Sequence, residues 1–194
     1  MSFIEFRELM TLEKYDAARP SFREDVIAHK RNRQIAIGPD IILSFEDRTT
    51  IQYQIQEMLR TERIFERQGV QEELDAYNPL IPDGDNWKAT MMIQIPDVEV
   101  RRTALARFIG IENSCWVRAE DHEPVFAIAD EDIDRTNADK TSAVHFLRFQ
   151  FPRTMCSALK DGKTISIGID HREYQHCVNS VPSAIANSLR NDLA

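Results

Sequence analysis

The chain has 194 residues, 42% hydrophobic and 29% charged, the profile of an ordinary globular protein with room for one substantial core. Its 32 acidic residues against 24 basic ones leave a formal charge of -8. That balance argues against nucleic acid as the main partner, because phosphate contacts need clustered Lys and Arg. No run approaches the roughly 18–20 consecutive apolar residues that cross a bilayer, so a membrane span is not expected.

Thr11 to Ala18 reads as a short helix. Ser21-Phe-Arg-Glu24, directly after Pro20, has capping-box spacing and predicts a second helix to about Arg33, with His29, Lys30 and Arg31 favourably placed at its negative end. Gly38-Pro39 marks a turn. Ile41–Glu46 and Thr49–Tyr53 are rich in β-branched and aromatic residues and predict a hairpin across Asp47-Arg48. A charged helix with apolar Ile55, Met58, Leu59, Ile64 and Phe65 follows, ended at Gly69 by a left-handed cap, and then a brief helix over Glu72–Tyr77. Asn78-Pro79, Pro82 and Gly84 make a rigid loop.

Trp87, Ala89, Met91, Ile93 and Ile95 alternate with Lys88, Thr90, Met92 and Gln94, the period of a half-buried strand. Asp97 can cap a helix to about Ile109, closed by Gly110. Ser114–Ala119 and Pro124–Ala129 predict a hairpin, and Asp130–Ser142 a polar loop. Ala143–Phe151 is the strongest strand pattern, Thr154–Lys160 a short helix, and Ile165, Ile167 and Ile169 the last strand. Pro182 suits the first turn of a terminal helix. Strands come in hairpins with helices between them, without regular strand–helix alternation. The expected architecture is α+β, a single domain over residues 1–194 with a mainly antiparallel sheet flanked by helices.

Cys115, Cys156 and Cys177 form no Cys-x-x-Cys pair, which disfavours an iron–sulfur cluster, a structural zinc site or a disulfide framework. The N-terminus lacks the apolar core of a signal peptide. A reduced, cytoplasmic address is therefore expected, and no cofactor is predicted.

No complete catalytic motif is present, so the candidates are clusters of polar residues. Glu57, Arg60, Glu62 and Glu73 sit in the densest charged stretch. Glu57 and Arg60 suit a surface pair on one helix face, contributing only about 0.2–0.5 kcal/mol. The other reading has Glu57 buried facing Glu73 or an arginine, where a carboxylate demands a partner and often has a role. Strand alternation puts His145 on the apolar face with Leu147, Phe149 and Phe151, as a hydrogen-bonded core residue or a ligand. His171 follows the last strand, with His176 five residues on, a spacing that matches no standard metal pair. Asp130-x-Asp132-x-Asp134 mimics the opening of a calcium loop, but Arg135 stands where glycine is required and Thr141 where the bidentate glutamate belongs.

Tyr53-Gln-Ile-Gln-Glu-Met-Leu-Arg60, Glu73-Leu-Asp-Ala-Tyr-Asn-Pro-Leu-Ile-Pro-Asp-Gly84, Phe126-Ala-Ile-Ala-Asp-Glu-Asp132 and Lys140-Thr-Ser-Ala-Val-His-Phe-Leu-Arg148 resemble a bacterial family catalogued as a domain of unknown function. The similarity extends from Leu12 to the terminal helix. The family's genes often stand beside those for a rubrerythrin-like diiron protein and a cysteine-rich iron–sulfur oxidoreductase, so the resemblance implies a role in redox or peroxide stress. It marks Glu57, Arg60, Glu73, Tyr77, Asn78, Lys140, His145 and Arg148 as candidates for a shared polar site.

This chain has neither cluster-binding cysteines nor a Glu-x-x-His pair of the diiron type. The leading expectation is thus an accessory subunit that binds a protein or small ligand, with a rubrerythrin-like or iron–sulfur protein as partner. A metal-assisted enzyme using these carboxylates with His145 or His171 is the rival. A structural homodimer, exposing a large apolar patch, is the third reading.

Overall fold

The computed structural model describes residues 3–131 and 139–194. In chain order the elements are α1 (Leu12–Arg31), β1 (Gln34–Ile37), β2 (Ile41–Phe45), α2 (Arg48–Thr61), α3 (Arg67–Tyr77), β3 (Asn86–Ile93), α4 (Val98–Arg107), β4 (Cys115–Ala119), β5 (Val125–Phe126), β6 (Ile128–Ala129), β7 (Val144–Gln150), α5 (Arg153–Lys160), β8 (Ile165–His171), β9 (Tyr174–Val178) and α6 (Ser183–Arg190). The fold is α+β, and every strand pair is antiparallel.

Three local expectations are corrected. α1 is one helix, begun by the Thr11 hydroxyl accepting from the Lys14 amide, and it continues through Pro20. Proline removes a single amide from the ladder, while Tyr15 before it and Val26 after it are both buried, so packing holds the two halves together. Ser21 is no cap; its hydroxyl donates to the Ala18 carbonyl at 3.0 Å. The hairpin across Asp47 does not form either. Asp47 and Thr50 make a reciprocal cap, each side chain bonding the other's amide at 2.9 Å, and this starts α2. Ile51, Ile55 and Leu59 then recur at helical spacing and are buried, which outweighs the strand preference of Thr49–Tyr53. Finally, α2 stops at Thr61, where Arg63 turns the chain at φ 54°, and Gly69 lies inside α3. A side chain at Gly69 would put its Cβ 2.7 Å from the Ile64 Cγ2, so close approach rather than capping accounts for this glycine. A strand that periodicity missed, β9, pairs with β8 as the sheet edge.

The strands form a five-stranded sheet, β1-β2-β3-β7-β6, and a four-stranded one, β5-β4-β8-β9. β5 and β6 are one stretch of chain that changes sheets at Ala127, whose amide donates to the Cys115 carbonyl at 2.8 Å. At the opposite end the Tyr174 hydroxyl on β9 donates to the Ile37 carbonyl on β1 at 2.6 Å. The two sheets therefore wrap one apolar core, in which Trp87 meets Phe45 and Phe151 edge-on, with ring centroids 5.9 and 4.9 Å apart. Each such aromatic pair contributes about 0.5–1.5 kcal/mol beyond area burial.

A smaller core forms where Ile51, Ile55 and Leu59 of α2 meet Val70 and Leu74 of α3 with Ile4 and Ile81. Asn78, directly after α3, holds the N-terminal segment by bonding both the Ile4 amide and carbonyl, at 2.8 and 3.0 Å. This helical layer faces the outer side of β3 and β7, where Lys88, Thr90, Met92, Phe146 and Arg148 alternate with the core residues and stay half-buried.

Candidate functional site

Between α3 and the outer face of β3 and β7 lies a cavity of about 640 Å³, within the size range of small-molecule sites. Met58, Pro79, Leu80 and Phe146 supply apolar wall, and Glu73, Tyr77, Lys88, Glu131 and Arg148 supply polar groups. Tyr77, Leu80 and Phe146 also border a second hollow of about 370 Å³ that runs on towards Thr90, Met92 and Gln54. The two form a groove along the seam between helical layer and sheet.

Its charges are unequally engaged. Arg148 donates to both oxygens of Glu131 at 2.7 Å and to the Gln150 side chain at 2.7 Å. Directly opposite it in register, Lys88 points to the same face. The Lys88 ammonium donates to the Pro79 carbonyl at 2.5 Å and, among the described residues, makes no ion pair. Burial, reinforced by Arg148, lowers the Lys88 pKa. Across the cavity Glu73 is half-buried and, among the described residues, also without an ion pair. Burial raises its pKa, with Glu62 and Glu72 adding repulsion.

Of the residues singled out in the sequence, Glu73, Tyr77 and Arg148 meet in this cavity, and Glu62 acts on it through its charge alone. The expected convergence of Glu57, Arg60, Glu73 and His145 on one pocket is corrected, since they belong to separate networks. Glu57 lies in the α1–α2 seam, where Arg19 donates to both its oxygens at 2.7 and 2.8 Å and the Tyr15 hydroxyl donates at 2.5 Å. Its carboxyl falls to about 2, mainly through Arg19, while burial and the Glu57 charge push the Tyr15 phenol up. Arg60 is exposed and pairs with Asp16 at 2.8 Å. Asn78 serves the N-terminal segment, and Lys140 is exposed at the far end of the loop before β7.

His145 is wholly buried on the core side of β7, as strand alternation predicts. Its Nδ1 lies 2.5 Å from the Asp130 carboxylate and its Nε2 2.8 Å from the Thr141 hydroxyl, with a Glu112 oxygen 3.9 Å away. The calcium-like triplet falls partly outside the described residues, at Asp132 and Asp134. The described Asp130 accepts from the Phe146 amide at 3.0 Å as well as facing His145. His171, expected just beyond the last strand, is instead the buried final residue of β8, with Nε2 3.2 Å from the Ile109 carbonyl and Nδ1 accepting from the Glu173 amide, whereas His176 is exposed against the Tyr174 ring. Among the described residues no three His, Cys, Asp or Glu side chains are grouped so as to hold a metal ion. Burial raises the thiols of Cys115 and Cys156, the reverse of what an activated nucleophile needs.

Lys88, Glu131 and Met58 were missed as cavity residues. The sequence did mark Lys88 as outward-facing on β3, but an outward lysine ordinarily reaches solvent. Only the α3–Pro79 turn folding over that face makes it a wall of the cavity.

A family model described as "Protein of unknown function (DUF3501)" matches residues 3–193. The crystal structure of a protein of unknown function from Burkholderia pseudomallei K96243 is 48% identical over the full length of both chains, with a TM-score of 0.95. No functionally curated protein matches the chain. No helix among the described residues is long and apolar enough to cross a membrane.

Proposed function

The chain belongs to the DUF3501 family, and from that premise we propose that it is a binding protein whose working surface is the cavity between α3 and the outer face of β3 and β7. The observation that carries this reading is the pairing of an apolar wall with two half-buried charges, Lys88 and Glu73, neither of which makes a direct ion pair among the described residues. Charges withdrawn from water in this way are costly until a ligand answers them. Elsewhere the buried polar side chains bond within the fold: Arg33, Asn78 and His145 all do so. The finer setting is service as an accessory subunit of a bacterial redox or peroxide-stress system, with a rubrerythrin-like or iron–sulfur protein as partner. It rests on the family resemblance alone.

The test is a fragment screen by NMR on the full chain. Fragments carrying apolar groups with a carboxylate or an amine should perturb the amides of Glu73, Tyr77, Lys88 and Arg148 as one set. Perturbations scattered over the surface, or none, would end this reading. The redox setting has its own test: tagged protein isolated from its native cells should carry a redox protein with it, and its repeated absence would remove that setting.

A second reading, acid–base chemistry at His145, is favoured by the Asp130 and Glu112 carboxylates on either side of its ring. The ring is wholly buried, however, and a reacting group has to be reached by its substrate. Fragment perturbations centred on His145 instead of Lys88 would favour it.

A further inference from the structure

We propose that the cavity takes a small zwitterion with an apolar body, of amino-acid or dipeptide size, its carboxylate on the Lys88–Arg148 wall and its ammonium on Glu73. The inference rests on the cavity being a binding site and adds the class of molecule bound.

The argument starts from register. Lys88 on β3 and Arg148 on β7 are directly opposite partners on the same sheet face, and like charges so placed repel unless an anion lies between or beside them. Arg148 is answered by Glu131 in a two-point bond. Lys88 donates to the Pro79 carbonyl, a neutral acceptor, at 2.5 Å, and among the described residues Asp83, Glu131 and Asp85 act on it through their charges without pairing with it directly. An ammonium has three donors, so Lys88 keeps donors to offer the cavity, and a carboxylate there would both accept from it and offset the repulsion.

The opposite wall has the reverse imbalance. Glu73 has Glu62 and Glu72 near enough to act on it through their charges, and among the described residues no cation pairs with it. Asp75, also at the cavity, is already bonded to Gln71 at 2.8 Å. A ligand ammonium beside Glu73 would relieve three negative charges at once. A simple anion would satisfy Lys88 and leave Glu73 as it is, and a simple cation would do the converse. Only a molecule bearing both groups answers both walls. The space between them is lined by Met58, Leu80 and Phe146, and about 640 Å³ leaves room for more than the two charged ends.

The experiment is calorimetric titration of the full chain with leucyl-phenylalanine, its N-acetylated form and its C-amidated form. The free dipeptide should bind, and each capped form should bind at least about tenfold more weakly, the loss expected for one charge-assisted hydrogen bond. Lys88→Gln keeps a donor for the Pro79 carbonyl but removes the charge; it should bind the free and amidated forms alike. Glu73→Gln should bind the free and acetylated forms alike. If either variant fails to fold, the capped forms on the unaltered protein still decide the matter. Equal affinity for all three forms would overturn the zwitterion while leaving the cavity as a site. No binding of any form, with fragments still mapping to Glu73 and Lys88, would do the same. No binding and no mapped fragments would sink both readings together.

Discussion

Arg33 at the start of the β1–β2 region and Asp192 just beyond α6 meet with Nη2 2.5 Å from Oδ2, both side chains almost wholly buried. The same guanidinium also donates to the Phe45 and Glu46 carbonyls, at 3.0 Å each, so it ties the C-terminal helix to β2. Burial pushes the Asp192 carboxyl up to about 6, against the pull of Arg33. A carboxyl raised in the folded state holds its proton there after the unfolded chain has released it. Its contribution to stability is full below an unfolded pKa of 3.8 and is lost as pH rises through about 6. Relative to Asp192→Asn, the unaltered protein should therefore lose roughly 3 kcal/mol in all, about 2 kcal/mol of it between pH 4 and pH 6. Denaturant unfolding of both across that range measures the gap, and a gap independent of pH contradicts the expectation.

Replacing Arg33 is a different experiment from replacing Asp192. Arg33→Met leaves a buried carboxyl with its main counter-charge gone and two carbonyls without their donor, a loss of about 3–5 kcal/mol. Asp192 would then stay protonated to a higher pH than it does beside arginine. A loss below about 1 kcal/mol would show that the clamp is incidental to the packing of α6.

Glu57 behaves in the opposite sense. Its carboxyl is lowered to about 2, chiefly by Arg19, so its contribution is full above an unfolded pKa of 4.5 and disappears as pH falls through about 2. Glu57→Gln should cost about 1.5–3 kcal/mol at neutral pH, the range for hydrogen bonds to a charged group, and the deficit should shrink in acid. The variant should bind cavity ligands unchanged, because Glu57 serves the α1–α2 seam and not the cavity. A binding defect as large as that of Lys88→Gln would mean that the seam and the cavity act as one site.

The strands β3, β7 and β8 were legible because each has one buried and one outer face, or is buried throughout, and that pattern is written in every second residue. β9 was not, because as an edge strand it reads Tyr-Gln-His-Cys-Val with three exposed residues in the middle. The Thr49–Tyr53 segment misled for a physical reason: a reciprocal Asp47–Thr50 cap is a stronger local instruction than β-branching, and it appears as a single Asp-x-x-Thr string. For the site, the charged run around Glu57 drew attention by density, yet Glu57 and Arg60 are engaged in pairs with Arg19 and Asp16 of α1. Lys88 carries more of the proposed chemistry from an unremarkable position, since its bond to the Pro79 carbonyl is set by a chain reversal that no local pattern encodes.

Pro20 offers a test of how α1 is held. Its ring removes the amide that would donate to the Asp16 carbonyl, yet the helix passes through it unbroken. Pro20→Ala should restore that bond and a favourable helix residue, worth up to about 3 kcal/mol in a helix interior. It should give back part of the gain through a more flexible unfolded chain, about 0.4–1 kcal/mol. The net expectation is a stabilisation of about 1–2 kcal/mol, read as a higher denaturation midpoint with an unchanged slope. A lower midpoint would mean that α1 is bent at Pro20 to fit α2, and that straightening it strains the contacts of Tyr15 and Val26.

Asn78 carries the last expectation. Its side chain bonds the amide and the carbonyl of Ile4 across 74 positions of sequence, and Ile4 itself is buried in the smaller core. Asn78→Ala strips both partners from a buried backbone unit, and leaving such groups unpaired costs about 1–3 kcal/mol. The loss should be local, because the larger core around Trp87 makes no use of Asn78. Hydrogen exchange should therefore quicken at Ile4 and in the turn before α1 while the amides of β3 and β7 keep their protection. If β3 and β7 lose protection equally, the two cores unfold as one unit and the cavity between them cannot open independently of the sheet.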